Sequence, residues 1–531
     1  MLFCSQQFLI FFTVIFIVYW GLRSRWMKVG ILLATASYLY ANRSESTTSY
    51  VSWEFLTNLT GDYWVAAIII ITVAMAYVMG HDRARVWLLL TASFFFYASW
   101  NKWLAGIICI STAMDYAVAW GMQASAVPWR RKLLLGVSLV ANLGLLVYFK
   151  YANFFLGSVQ QALRAAGAES ALPVLQVILP IGISFYTFEA INYTIDVYRR
   201  RVRAERNLAN FMLFITFFPH LVAGPIVRAR DFLPQIRRRK HWDWARMQLG
   251  AQFFLMGVFK KLAIADRMAL YADPVFANPE VYNSGAVWLA VLAYALQIYC
   301  DFSGYTDMAL GSAHLLGYKL AKNFNMPYLA VNVSEFWRRW HISLSSWLRD
   351  YLFIPLGGSR GTTWQTNRNL MITMALGGLW HGANWTFVVW GILHGSLLIV
   401  HRAFQGICKR HPRLDRLFQS PPGTVFRVVL TFFCVCLGWV FFRAQTFGAA
   451  ATVFHRMAIP HEGAGAPLHN RSLWYTVAVI ALCHALAQSG LWKKLAVRLP
   501  APVMGLGYAV VLTLALVLAP DVGKAFIYFQ F

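Results

Sequence analysis

Two histidines lie among tryptophans in segments whose residue types suit proton transfer. His341 lies in Phe336-Trp337-Arg338-Arg339-Trp340-His341-Ile342-Ser343, and His381 in Gly377-Gly378-Leu379-Trp380-His381-Gly382-Ala383-Asn384-Trp385. An imidazole with an ordinary pKa of about 6.5 takes and gives a proton at neutral pH. Two carboxylates, Asp301 and Asp307, flank Ser303-Gly304. A helix broken there would place them to orient a histidine or hold an arginine, or simply to form buried ion pairs. Glu189 is an acid inside an apolar run, which is costly unless the acid is paired or used. His220 stands in Phe217-Phe218-Pro219-His220-Leu221-Val222-Ala223-Gly224-Pro225, a sequence that fits a turn. His314, His394 and His401 are isolated and read as structural.

The elements that hold these residues are membrane spans. Of 531 residues, 59% are hydrophobic and only 13% charged, with mean hydropathy +0.52. A soluble domain is about 25% charged. The net charge of +26 does not indicate a nucleic-acid binder, because the basic residues fall in short clusters between apolar runs. The seven cysteines form no CxxC pair and no zinc-like Cys/His spacing. The N-terminus is apolar from the start without a basic leader or a small-residue cleavage site, so it reads as a retained first span.

Apolar runs centre on 3–20, 29–41, 64–79, 86–99, 103–121, 133–151, 173–194, 247–265, 286–300, 303–317, 369–400, 425–442, 473–489 and 503–519. Since a crossing needs about 20 apolar residues, they amount to about 11–13 crossings plus re-entrant pieces. The stretch 369–400 reads as a hairpin of two half-length helices and 208–226 as a re-entrant turn. With 21–28 placed in the cytoplasm, the segments on that side carry 34 of the 47 Lys and Arg residues, against seven on the other. The positive-inside rule then puts both termini outside. The basic inner face can also draw anionic lipids or a phosphate-bearing donor. Residues 334–351 show helical spacing. Ser334 reads as the N-cap, Trp337, Trp340, Leu344 and Trp347 form an apolar stripe containing His341, and arginines take the other face. This predicts one amphipathic helix at the inner interface. There is no internal repeat, so the whole chain, 1–531, reads as a single membrane-embedded domain.

The sequence reads as having no P-loop, no GxSxG elbow and no HExxH, which leaves a covalent serine nucleophile or a zinc protease without support. Taken together, PIGISFYTF at 180–188, FFPHLVAGPIVR at 217–228, QIYCDFSGYTDMALG at 297–311, NFNMPY at 323–328, FWRRWHISLSSWLRDYLFIPLGGSRG at 336–361 and GGLWHGANWTFVVWGILHG at 377–395 resemble the membrane-bound O-acyltransferase (MBOAT) family, most closely its bacterial branch that includes the alginate O-acetylation protein. The resemblance covers about 1–455 and is weaker over 456–531.

The resemblance implies an all-α ring of tilted transmembrane helices around a central funnel. It also implies transfer of an acyl group from a cytoplasmic thioester to a hydroxyl. His381 aligns with the catalytic histidine of the family's Trp-His-Gly motif and His341 with its second active-site histidine. Glu189 and His220 receive no role beyond lining or structure. Asp301, Asp307, Trp337, Trp340, Trp380 and Asn384 are candidates for lining or orienting the funnel. No bound cofactor or metal is implied. The donor substrate implied is acetyl-CoA or an acyl-carrier thioester. The partners implied are membrane lipids, a periplasmic polysaccharide acetyltransferase and a polysaccharide-secretion complex, with no nucleic acid, and the site of action is the bacterial inner membrane.

The physics agrees with that chemistry. A hydroxyl attacks poorly until a base takes its proton, which His381 could do. His341 could orient the acceptor or stabilise the developing oxyanion. The resemblance alone implies the final acceptor, an exopolysaccharide such as alginate or cellulose, or alternatively peptidoglycan. Two rival classes remain. A transporter with a histidine relay would move substrate without consuming thioester. A non-catalytic scaffold would tolerate loss of both histidines.

Overall fold

The computed structural model describes residues 3–41, 61–168, 172–490, 499–520 and 526–527. Nearly all of the expected loop 42–63, the basic segment 491–498 and parts of 152–172 and 520–531 lie outside the described residues. Among the described residues the secondary structure is helical apart from one isolated bridge, Tyr282 with Ala464. Among the described residues, six helices are long and apolar enough to cross a membrane: Lys102–Ala124, Pro128–Ala165, Ser284–Leu315, Trp385–Arg410, Pro421–Arg443 and Ala501–Leu518. Gln6–Gly21 and Ala66–Val78 are shorter apolar helices. The protein is an all-α polytopic membrane protein.

Local sequence sets the helix ends. Ser5 accepts from the Phe8 amide, Asn101 from those of Trp103 and Leu104, and Asn384 from that of Thr386. Each side chain satisfies a backbone donor that a helix start leaves open. Thr362 and Gln365 form a reciprocal capping box at the start of Thr363–His381.

The chain forms two compact units. The first comprises Met1–Leu145, Phe185–Ala251 and Ala309–Leu320. Phe8, Phe96 and Phe218 form an aromatic core within it, with Phe8 and Phe96 rings 6.1 Å apart and edge-to-face. Several buried polar groups are paired. Asp115 accepts from Ser138 Oγ at 2.6 Å and Asn142 Nδ2 at 2.9 Å, and Arg85 Nε donates to the Tyr19 carbonyl at 2.8 Å. Glu189 Oε1 accepts from the Val227 amide at 2.8 Å and lies 3.2 Å from His220 Nδ1. Leu208–Thr216 is followed by the single turn Phe218–Leu221, the local break that Pro219 and Gly224-Pro225 suggested.

The second unit comprises Leu146–Ser184, Gln252–Met308 and Ala321–Phe531. One expectation fails along Ser284–Leu315, which is a single 32-residue helix rather than two runs split at Ser303-Gly304. Gly304 serves close approach. A Cβ there would lie 2.8 Å from the Gly257 carbonyl oxygen, and one on Gly257 would lie 2.5 Å from that of Gly304. Two backbones meet at this point, which small residues allow in membrane helices. The 369–400 hairpin is present, but its arms are full-length helices, Thr363–His381 and Trp385–Arg410.

Candidate active site

His381 is the last residue of Thr363–His381, followed by the extended Gly382 and by Asn384, the cap of the returning helix. The hairpin closes tightly because a Cβ on Gly378 would lie 2.2 Å from the Phe387 carbonyl oxygen, and one on Gly391 would lie 2.2 Å from that of Met374. The end of the first arm is anchored from the π-helical turn Val147–Tyr151. Tyr151 Oη donates to the Leu379 carbonyl at 3.0 Å, and Lys150 Nζ donates to those of Trp380 at 2.7 Å and His381 at 3.1 Å. Trp380 Nε1 donates to the Ser184 carbonyl at 3.4 Å. Tyr151 and Lys150 thus meet three carbonyls of the kind a helix end leaves open.

His341 sits at a break, where a single amphipathic helix over 334–351 was expected. Val333–Arg339 is capped by Asn332 rather than Ser334, Ile342–Leu348 follows, and His341 between them has φ 42° in the left-handed region. That conformation is uncommon for a residue with a Cβ and persists where surrounding contacts hold it. Asn323 supplies those contacts. Its carbonyl oxygen accepts from the Ile342 amide at 2.9 Å, and its side-chain Oδ1 accepts from the Ser343 amide at 3.2 Å and from Ser343 Oγ at 2.9 Å. The Asn325 amide donates to the Arg339 carbonyl at 2.9 Å. The stripe pattern carries no sign of this break, because the groups that stabilise it lie upstream in the chain.

Asn323 also fixes the histidine's chemistry. Oδ1 lies 3.1 Å from His341 Nδ1. The Ser343 amide can only donate, so the amide atom facing it is oxygen. The imidazole nitrogen facing the same oxygen therefore carries the proton, and the Nε2 atom of neutral His341 holds the lone pair. Burial pushes the His341 pKa down to about 3, so the ring is neutral across the working pH range.

The two histidines are brought together. Their ring centroids are 6.3 Å apart, and both side chains are buried. Trp380 lies 5.0 Å from the His381 ring and 6.0 Å from the His341 ring. Trp390 and Phe442 flank His381 at 5.0 and 5.3 Å, and Phe302 meets His341 edge-on at 4.7 Å. Trp337 and Trp340 lie one layer out. Trp337 contacts Trp390, and Trp340 contacts Trp439. His394 packs between Trp337 and Trp390. Asn384 holds the hairpin, its Nδ2 donating to the Gln445 carbonyl at 2.8 Å.

The carboxylates hold lysines, where an orienting role toward histidine or a hold on arginine was considered. Asp301 Oδ1 lies 2.8 Å from Lys261 Nζ, and Asp307 Oδ2 lies 2.6 Å from Lys260 Nζ. Asp301 Oδ2 also accepts from the Ile527 amide at 2.7 Å, which ties the chain near its C-terminal end to this helix. Ser359, central to a Gly-x-Ser-x-Gly spacing at 357–361, is exposed on a turn and not at a strand–helix elbow. Among the described residues no group of three His, Cys, Asp or Glu side chains could hold a metal ion. Lys150 and Asn323 are the residues that sequence reasoning missed. A lysine inside an apolar run was the available signal for the first, and Asn323 lay within NFNMPY without a chemical cue of its own.

The sequence profile of the MBOAT, membrane-bound O-acyltransferase family, matches residues 100–442. The chain is 46% identical over 386 residues to "Probable alginate O-acetylase AlgI" of Azotobacter vinelandii, covering 72% of this chain and 74% of that protein. It is 44% identical over 386 residues to the protein of the same name in Pseudomonas aeruginosa, covering 72% and 71%. It is 37% identical over 411 residues to "Peptidoglycan O-acetyltransferase" of Helicobacter pylori, covering 72% and 76%.

Proposed function

This chain belongs to the membrane-bound O-acyltransferase family and is an O-acyltransferase, and from that premise we propose that it moves an acetyl group from a cytoplasmic thioester toward an exopolysaccharide of the alginate or cellulose kind. The observation that carries the mechanism is the 6.3 Å separation of the buried His341 and His381 rings. At that separation one bound hydroxyl can be reached by both imidazoles. His381 takes the hydroxyl proton as the oxygen attacks the thioester carbonyl. The C–O bond forms, the C–S bond breaks, and the proton passes to the departing thiolate. His341, with Nδ1–H engaged by Asn323, offers Nε2 as an acceptor. That supports an orienting role for it over an oxyanion-stabilising one, which needs a donor.

Acetyl-CoA or an acetylated carrier is the donor in this reading. The protein works in the bacterial inner membrane with both termini periplasmic, and hands the acetyl group to a periplasmic acetyltransferase within the secretion complex. The names of the Azotobacter and Pseudomonas relatives favour alginate-like polymers, and that of the Helicobacter relative makes peptidoglycan the second reading.

The test is complementation. In a strain lacking the native copy, wild type and His381→Ala are expressed at matched membrane levels, and ester-linked acetate is measured on secreted polymer and on murein. The reading predicts acetate on the polymer with wild type and none with the variant. Acetate confined to murein would select the second reading. Full acetylation by His381→Ala would overturn the mechanism.

A further inference from the structure

The first unit holds a cleft of about 750 Å³ that has no part in the histidine chemistry. Five arginines line it, Arg131, Arg200, Arg203, Arg206 and Arg237, against one carboxylate, Glu205. They come from 122–132, 198–207 and 228–246, all segments that the charge bias assigns to the cytoplasmic side. Basic residues there are expected for topology alone, so charge by itself indicates no ligand.

The architecture of the 203–207 loop goes beyond what topology needs. The Ala204 amide donates to Gln123 Oε1 at 2.6 Å, and the Glu205 amide donates to Tyr193 Oη at 2.9 Å. The Glu205 carbonyl accepts from Trp120 Nε1 at 2.8 Å, and the Arg206 carbonyl accepts from Tyr116 Oη at 2.8 Å. The Glu205 carboxylate accepts from the Asn207 amide and from Arg237, whose Nε lies 3.1 Å away. Two neighbouring helices thus hold one polar group of each peptide bond between 203 and 207. A topological signal requires no such fixed backbone, whereas a fixed backbone lowers the ordering cost of binding.

The guanidiniums divide into two groups. Arg237 is committed to Glu205, and Arg131 Nη2 donates to the Tyr198 carbonyl at 2.7 Å while its buried Nε has no partner among the described residues. Arg200, Arg203 and Arg206 are exposed, and no carboxylate faces them among the described ion pairs. Arg200, in the left-handed region at φ 58°, closes the helix Ile183–Tyr198 at the cleft's edge. The planar fork of arginine matches phosphate oxygens two at a time. The volume lies within the 300–1,000 Å³ of small-molecule sites, roughly the size for a nucleotide.

We infer that this arginine cleft binds a phosphorylated ligand of nucleotide size, with Arg200, Arg203 and Arg206 engaging its phosphates over the pinned 203–207 loop. The shared chemistry, clustered phosphate, has two sources at such a membrane face, the nucleotide portion of a soluble donor or the headgroup of an anionic phospholipid. The inference stands on the first unit alone and needs neither histidine.

The experiment uses the full chain in nanodiscs of phosphatidylcholine, with ADP as the probe in equilibrium binding. The key variant is Arg203→Lys/Arg206→Lys, which keeps the positive charge that sets topology while removing the bidentate fork. Matched elution profile and thermal unfolding establish that the variant is folded. The inference predicts saturable ADP binding that weakens about tenfold or more in the double variant. In nanodiscs containing phosphatidylglycerol, undiminished ADP affinity assigns the cleft to the soluble nucleotide. Competitive loss of ADP binding that the double variant relieves assigns it to the lipid headgroup. Absent or non-saturable ADP binding, or binding unchanged in the double variant, would overturn the inference. Because the readout is equilibrium binding without turnover, it remains interpretable whatever becomes of the acyl-transfer mechanism.

Discussion

The side-chain oxygen of Asn323 lies 3.1 Å from His341 Nδ1 while also accepting the backbone amide of Ser343 at 3.2 Å. One atom therefore holds the break between two short helices and selects the tautomer of the histidine placed there. Asn323→Ala removes both functions. It leaves the buried Ser343 amide without this acceptor, at about 1–3 kcal/mol, and frees the imidazole to protonate at either nitrogen. Acetyl transfer is expected to fall about 10–100-fold, the usual scale for a partner that orients a histidine. Asn323→Asp keeps the acceptor and should recover much of the rate. An equal loss in both variants, measured as thiol release from the thioester, would exclude the tautomer role.

The left-handed backbone of His341 predicts an unusual ranking of substitutions. Asn and Gly tolerate φ 42°, whereas a β-branched residue does not. His341→Asn and His341→Gly should unfold in detergent at temperatures near wild type while transferring little acetyl. His341→Val should be clearly less stable, by about 1–3 kcal/mol. Equal stability of the Val and Asn variants would show that the strained conformation is not held.

Stability should depend on pH through the same ring. The folded His341 pKa, at about 3, lies below the unfolded value of about 6.5. The unfolded chain therefore binds more protons below that value. Stability is lost as pH falls through about 6.5 and the loss levels off near the folded pKa. The drop in melting temperature from pH 7.5 to pH 5 should be smaller in His341→Asn than in wild type. Identical drops would contradict the assignment.

Lys150 donates to the carbonyls of Trp380 and His381. Lys150→Met keeps the length of the side chain but leaves two buried acceptors without this donor, so the end of the His381 helix should loosen. The expected cost is about 1–3 kcal/mol, with a larger fall in transfer rate than in membrane level. Wild-type turnover in Lys150→Met would show that the anchor does not position His381.

Glycine contacts provide an internal comparison. Gly378→Ala places a methyl 2.2 Å from the Phe387 carbonyl oxygen and should destabilise by about 1–3 kcal/mol. Gly406→Ala, with nothing within 4 Å, should be neutral or slightly stabilising. Thermal unfolding of the two variants decides, and the same sign for both would refute the close-packed hairpin.

The helical, membrane-embedded character of the chain follows from composition, and the His381 hairpin from two glycine-rich flanks around a polar turn, because these are local signals. Gly304 was misread for a local reason as well. A glycine between carboxylates resembles a break, and only the facing Gly257 reveals a packing contact. The split at His341 was hidden because the helical stripe runs straight through it, and its cause is Asn323, 18 residues away. Lys150 was less visible still, since its partner Trp380 lies 230 residues along the chain. Sequence periodicity reports which face is apolar. It does not report which distant donor meets which carbonyl.

The central claim is that His381, beside His341, removes the proton from the attacking hydroxyl. The most direct measurement is thiol release from acetyl-CoA by protein in nanodiscs, with the extracted polymer and its periplasmic partner supplied, comparing wild type with a folded His381→Ala variant. The account predicts acceptor-dependent thiol release by wild type and a loss of about 10²–10⁴-fold in the variant. Acceptor-dependent release at an undiminished rate in His381→Ala would contradict it.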